Sequence, residues 1–216
     1  MASMTNRTYG QYCGLSRAVE ILGERWGLLI VRDLLIGPKR FTDLQRGLPG
    51  IPSNVLTSRL KELEKSGVVR RRVLPRPAGS VVYELTEYGS ELEEAVVCFG
   101  RWGAKSLGEP RPDEIVTPDS IAMALRSTFR PEACQGVRAN YELRLGDVVV
   151  HARVHDGSIE AATGRLPDAD LVIEAGPGIR ALMAGEITAG QAIEQGVARV
   201  SGKRQLFDQF AKIFRI

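Results

Sequence analysis

The run FTDLQRGLPGIPSNVLTSRLKELEKSGVVRRRVLPRPAGSVVYEL, residues 41–85, decides how the first half of this 216-residue chain folds. Its opening, Phe41-Thr42-Asp43-Leu44-Gln45-Arg46 preceded by Arg40, reads as a short helix, and the breaker run Gly47-Leu48-Pro49-Gly50-Ile51-Pro52 separates it from a second one. Ser53 is read as the N-cap of that second helix, its hydroxyl accepting from first-turn N–H groups that have no helical partner. Leu56, Leu60 and Leu63 recur at i, i+4 and i+7, so they share one face to be buried. Asn54, Thr57, Ser58, Lys61 and Lys65 fall to the other face, with Arg59 alongside. After Ser66-Gly67 come two β-branched runs, residues 68–74 and 80–85, joined by Pro75-Arg76-Pro77-Ala78-Gly79. Two helices joined by a turn, then a basic hairpin, make a helix-turn-helix with a wing.

That shape fits DNA grooves. Short hydrogen-bonding and cationic side chains near the start of the second helix reach base edges and phosphates in a major groove. Arg40, Ser53, Asn54, Thr57, Ser58, Arg59 and Lys61 are the expected contacts. Arg76 joins them at the wing tip, where a narrow A·T minor groove concentrates negative potential. The run Arg70-Arg71-Arg72 is a weaker sign by itself, since alternation sends neighbours to opposite faces and like-charge blocks are commonly just solvated.

Separated motifs extend the pattern. Cys13-Gly14-Leu15 leads into Ile21-Leu22-Gly23-Glu24-Arg25-Trp26; then come Leu34-Leu35-Ile36-Gly37-Pro38-Lys39-Arg40-Phe41, Leu56-Thr57-Ser58-Arg59-Leu60-Lys61-Glu62-Leu63, Tyr83-Glu84-Leu85-Thr86 and Gly89. Together they resemble the HxlR-type winged-helix transcription regulators over about residues 9–107. The resemblance implies a homodimer whose two recognition helices bind a pseudo-palindromic operator. Members of that family commonly have Cys-Pro where this chain has Cys13-Gly14, a departure at the start of the first helix. In some relatives the cysteine here senses oxidants or electrophiles, which makes Cys13 a redox candidate by resemblance; read from the residues, a lone cysteine is a small buried hydrophobe.

Residues 90–107 agree with a dimer. Leu92, Val96, Phe99 and Trp102 or Gly103 form one stripe, which serves either as internal core or as a seam for a partner helix. The bulk of Phe99 and Trp102 beside Gly100, Gly103 and Ala104 favours close helix packing. A dimer would set its two half-sites about one helical turn of DNA apart, or a multiple of that.

Length and charge suggest two domains, 1–108 and 109–216, divided near Gly108-Glu109-Pro110-Arg111-Pro112. Residues 1–108 hold 16 Lys or Arg against 11 Asp or Glu, a net of +5; residues 109–216 hold 13 against 15, a net of −2. Only the first half has the charge of a phosphate-binding surface. Cys13, Cys98 and Cys134 form neither a close pair nor a metal-ligand pattern, and no signal peptide or membrane-length apolar run is visible. A cytoplasmic protein with no membrane partner is expected.

The second half has a different rhythm. Pro118-Asp119-Ser120 precedes a short amphipathic helix with Ile121, Ala124, Leu125 and Phe129. The period then drops to two: Ala139, Tyr141, Leu143 and Leu145 alternate, Gly146-Asp147 turns, residues 148–154 follow, and Asp156-Gly157 signals a hairpin before residues 159–163. Residues 171–173 make another strand. Pro177 starts a helix that Gly185 stops, Thr188 and Gln191 fit a capping box, and residues 197–201 and 203–214 give a last strand and helix. Ala169-Asp170-Leu171-Val172-Ile173, Leu182-Met183-Ala184-Gly185, residues 192–196 and Val200-Ser201-Gly202 resemble the sterol-carrier-protein fold over about residues 113–216. That resemblance implies an α/β sandwich with a mainly antiparallel sheet around an apolar tunnel, which in some relatives holds fatty-acyl or sterol ligands; other relatives are dimerisation or accessory modules. Ile121, Leu125, Phe129, Leu182, Met183, Ile187, Phe207, Phe210 and Phe214 are the pocket-lining candidates, and a row of this composition is equally the make-up of an ordinary core.

Catalysis finds no support. The chain has no G-x-S-x-G elbow, no Walker loop and no G-x-G-x-x-G after a strand. His151 and His155 share a strand face but lack the further ligands that zinc needs. An α+β, non-enzymatic DNA-binding regulator without cofactor or metal is the leading reading, with an apolar small molecule in the second domain as its candidate effector. The alternatives are a lipid or small-molecule carrier whose winged helix is a protein-interaction module, and a thiol-based redox regulator acting through Cys13.

Overall fold

Leu56, Leu60 and Leu63 are all buried along one side of a helix at Ser53–Lys65. The structure is a computed structural model that describes residues 8–75, 79–108 and 110–216, and it divides into two units, Met1–Glu93 and Glu94–Ile216. The first unit contains α1 (Gly14–Leu22), α2 (Gly27–Ile36), α3 (Phe41–Gly47), α4 (Ser53–Lys65), β1 (Val69–Val73), β2 (Val81–Leu85) and α5 (Glu87–Ser90). Its core is Ile30, Val31 and Leu34 of α2, Leu44 of α3, Leu48 and Ile51 of the turn, and the α4 leucines.

One expectation is corrected at the start of α4. Pro52, not Ser53, occupies the N-cap position, with extended backbone (φ −66°, ψ 143°) and a carbonyl that accepts from the Leu56 N–H. Proline suits the position because its φ is already fixed near that value and it has no N–H to satisfy. Ser53 becomes the first helical residue and its hydroxyl caps nothing.

The wing is an antiparallel pair, with Arg70 opposite Glu84, Arg71 opposite Tyr83 and Val73 opposite Val81. Lys39 exchanges both backbone hydrogen bonds with Tyr83 (2.9 and 2.7 Å), adding a one-residue third strand. Where β2 passes into α5, Thr86 fastens the corner: its N–H donates to the Val68 carbonyl (3.0 Å) and its hydroxyl to that of Gly67 (2.6 Å), while the same hydroxyl accepts from Gly89 N–H (3.0 Å). Gly89 lies so close to this corner that a Cβ there would stand 2.1 Å from the Val68 carbonyl oxygen.

The second unit begins with α6 (Glu93–Ala104) and continues through α7 (Pro118–Thr128), a 3-10 turn (Pro131–Ala133), β3 (Arg138–Leu145), β4 (Val148–His155), β5 (Ser158–Thr163), β6 (Leu171–Ala175), α8 (Ile179–Ala184), α9 (Ala189–Glu194), β7 (Ala198–Gly202) and α10 (Gln205–Ile213). Asp156 and Gly157 both take positive φ (43° and 83°) between β4 and β5, as a tight hairpin turn requires. The Thr188–Gln191 capping box forms as expected, and Thr117 with Ser120 makes another at the start of α7.

The sheet order is β5-β4-β3-β6-β7, and β6 runs parallel to β3 while the other neighbours are antiparallel. The sheet is therefore mixed, which corrects the expectation of a mainly antiparallel one. Residues 164–170 cause the difference, because they carry the chain across the sheet from β5 to the far side of β3 instead of turning it back. Strand alternation reads the same either way, so the residues do not reveal which edge a strand joins.

One sheet face is apolar: Ala139, Tyr141, Leu143, Val150, Ala152, Val154, Ala161, Leu171 and Ile173 are all buried. The helices cover that face, as in one-sided sheets generally. Phe210 packs its ring against Tyr141 (5.5 Å between centroids), Phe214 (4.6 Å) and Phe207 (6.4 Å), and Phe129 meets Phe214 at 6.1 Å. The chain's last residues close the layer: Arg215 N–H donates to the Thr128 carbonyl and Arg130 N–H to that of Ile213, each at 2.8 Å. The opposite face is polar. There the crossing loop is held by Glu142, which is 2% exposed, accepts from Leu166 N–H at 2.6 Å and pairs with Arg144 at 2.6 Å. Burial pulls this carboxyl upward, but the Leu166 N–H and the Arg144 guanidinium more than offset it and hold it below the usual range.

Candidate nucleic-acid interface

On α4, burial separates two rows. Asn54, Thr57, Lys61 and Lys65, spaced i, i+3, i+7 and i+11, are exposed on the side opposite the buried leucines. Ser53 is exposed just ahead of them, and the Thr57 hydroxyl donates to the Ser53 carbonyl at 2.8 Å, which leaves the hydroxyl oxygen's own lone pairs free to accept. Arg40 is exposed before α3, its backbone N–H bonded to the Asp43 carboxylate at 3.1 Å.

Two of the expected contacts are engaged within the chain. Arg59 is half-buried and pairs with Glu62 (2.5 Å) and Glu24 (3.8 Å), which turns its guanidinium toward the α4 flank. Ser58 donates to Glu62 at 3.2 Å. A helical wheel places Arg59 near the edge of the leucine face, so its carboxylate partners were the signal to look for. Arg76 lies outside the described residues.

The arginine run of β1 resolves by alternation. Arg70 and Arg72 both reach Glu84, at 2.8 and 2.7 Å, and this carboxyl, nine-tenths buried, is held below the usual range first by Arg72 and then by Arg70, against the upward pull of burial. Arg71 points the other way, its guanidinium 5.8 Å from the centre of the Tyr83 ring. Glu84 was not foreseen as a functional neighbour, although its register opposite Arg70 follows from the hairpin. Arg70 and Glu84 also line an open cavity of about 270 Å³ with Leu34, Leu35, Pro38, Leu85, Ser90 and Glu93.

Cys13 is exposed at the N-cap of α1. Backbone N–H groups of Ser16 and Leu15, followed by the Ser16 hydroxyl, pull its thiol below the ordinary value. Cys98 is exposed and Cys134 buried.

The pocket-lining candidates of the second unit mostly pack as core. Leu125, Phe129, Leu182, Met183, Phe207, Phe210 and Phe214 are buried, and Ile121 and Ile187 are part-exposed. His151, buried, bonds through Nδ1 to the Gly164 carbonyl (3.0 Å), and His155 lies beside Arg138. Among the described residues no cluster of three or more His, Cys, Asp or Glu is arranged to hold a metal, and no helix is long and apolar enough to cross a membrane.

Residues 21–110 match the HxlR-like helix-turn-helix family. The HTH-type transcriptional regulator YodB of Bacillus subtilis (strain 168) is 43% identical over 96 residues, which is 44% of this chain and 85% of that protein. The uncharacterized HTH-type transcriptional regulator YvaP of the same organism is 40% identical over 89 residues, 41% of this chain and 82% of that protein. Among solved structures, the redox regulator HypR in its oxidized form aligns with a TM-score of 0.42 and 32% identity, covering 44% of this chain and 99% of that one.

Proposed function

Because the chain belongs to the HxlR-like helix-turn-helix family of transcription regulators, it is a DNA-binding regulator, and we propose that it grips a pseudo-palindromic operator as a homodimer, with the exposed row of α4 in the major groove. The observation that carries this reading is the separation on α4 of a buried leucine row from an open row of Asn54, Thr57 and Lys61. A helix so divided is anchored on one side and presents an amide, a hydroxyl oxygen free to accept and an ammonium donor on the other, groups of the kind that read base edges and phosphates. Exposed apolar side chains support the homodimer. Tyr12, Leu15 and Val19 lie at helical spacing around α1, and Phe99 and Trp102 of α6 are 60% and 73% exposed. Large apolar groups left in water at helical spacing mark an interaction face, and a second copy of this chain supplies the matching one.

Lys61→Ala tests the placement of α4. Each phosphate contact removed lowers the log–log salt slope of DNA binding by about 0.9, so a dimer carrying the change twice loses about 1.8. Equilibrium titration of a labelled duplex across a salt series measures it. An unchanged slope would remove Lys61 from the interface, and absence of binding to any duplex would favour the carrier alternative, in which the winged helix binds protein.

The second unit is read as an effector or bracing module. The resemblance of its sequence to the sterol-carrier fold is what favours an apolar ligand; Phe129, Met183 and Phe214, packed here as core, would part to admit it, and such a ligand controls DNA binding only if it binds two arrangements of the dimer unequally. Native mass spectrometry of the gently purified protein tests for it, a stoichiometric apolar adduct being the supporting result and a bare dimer the opposing one. The thiol-sensing alternative rests on Cys13 alone, and the same DNA titration in oxidant, with Cys13→Ser as control, decides it.

A further inference from the structure

Three arginines stand in a row on β1, and the structure gives them two different environments. Arg70 and Arg72 point to the face where Val82 and Glu84 are buried, and they share the single Glu84 carboxylate. Arg71 points to the other face. Among the described residues its one partner is the Tyr83 ring, and it is exposed. Of the three, it is the cation whose charge no carboxylate offsets.

Tyr83 is well placed to hold that guanidinium. Its backbone N–H and C=O are both spent on Lys39, on the side away from β1. Tyr83 and Arg71 are therefore a non-hydrogen-bonded pair, the kind in which antiparallel neighbours bring their side chains closest. The ring face carries negative potential and attracts a guanidinium without using its N–H groups, which stay free to donate in the plane. Toward the wing tip the same face continues as Val73, 68% exposed, opposite Val81, 37% exposed. A free planar cation followed by exposed methyl groups matches the alternation along a nucleic-acid strand, where anionic phosphates alternate with the C–H edges of deoxyribose.

We propose that this outer face of the wing lies along a DNA strand, with Arg71 donating to a phosphate and Tyr83 as the residue that positions it. This rests on the reading that the helix-turn-helix engages DNA, and it adds a contact that the loop tip alone does not supply. Arg70 and Arg72 are then internal braces of the wing.

The test uses the full chain and a labelled mixed-sequence duplex titrated over a salt series. Arg71→Ala is expected to lower the slope by about 0.9 per protomer, and Arg71→Lys to keep it, because the phosphate responds to charge. Tyr83→Leu is expected to weaken binding about two- to five-fold, the worth of an exposed cation–π contact, with the slope unchanged; Tyr83→Phe restores the affinity, which a purely structural role of the phenol would not. A wild-type slope in Arg71→Ala beside a reduced slope in Lys61→Ala would overturn the proposal and leave the α4 reading standing. Wild-type slopes in both would overturn the two together.

Discussion

Phe210→Ala is expected to destabilise the second unit by about 3–5 kcal/mol, the range for removing a large aromatic from a packed core. Phe210 is fully buried and is the ring that joins Tyr141 on the sheet to Phe207 and Phe214 on and after α10. Its loss leaves a void that three rigid rings cannot close, so lost transfer energy and lost contacts add. Hydrogen exchange in urea locates the effect: β3 and β6 amides should lose protection while those of α2 and α4 keep theirs. A uniform loss across both units, or a change below about 1 kcal/mol, would contradict this packing. Tyr141→Phe is the informative contrast. Burial pushes the Tyr141 phenol well up, and its hydroxyl has no hydrogen-bond partner among the described residues. Removing an unpaired buried polar group is near neutral or stabilising, so the same core should tolerate that change.

Gly89→Ala should strike the first unit as hard as Phe210→Ala strikes the second. The new methyl would sit 2.1 Å from the Val68 carbonyl oxygen, and that atom is backbone that also accepts from Thr86. Neither side can swing away as a flexible side chain would. To relieve the clash the β2–α5 corner must open, breaking the Thr86 bonds to Gly67 and Val68 and the cap on Gly89. A cost of about 3 kcal/mol follows from overpacking at a rigid site. It is read as lost protection in β1 and β2, with DNA affinity falling as the folded fraction falls. Retention of wild-type stability would mean that the corner is looser than its hydrogen bonds indicate.

Periodicity made most of the fold legible. The leucine row fixed α4, alternation fixed β3 and β4, and Asp156-Gly157 and the Thr188–Gln191 pair marked their turn and cap, because each is a local signal that local physics obeys. What escaped was non-local or shared between neighbours. Pro52 took the cap position from Ser53, since either residue satisfies the local pattern. The parallel β3–β6 pairing depends on where a loop lands, which no alternation encodes. The stripe at the end of the first half was visible, but whether Phe99 and Trp102 face core or water was not, and the structure leaves both in water. On the exposed side of α4, Asn54, Thr57 and Lys61 were legible from helical spacing, whereas the engagement of Arg59 by Glu24 and Glu62 needed the tertiary fold.

The clasp between residues 128–130 and 213–215 has a consequence for how the chain is made. Its two halves are separated by about 85 residues, so at the handful of residues added per second during synthesis the segment that ends α7 waits several seconds for its closing strand. The helix-turn-helix and wing have no such delay, because their partners lie within one short stretch. During translation the first unit can be finished while Phe129 still lacks the Phe214 ring that covers it, and that interval is when a nascent chain most needs a chaperone.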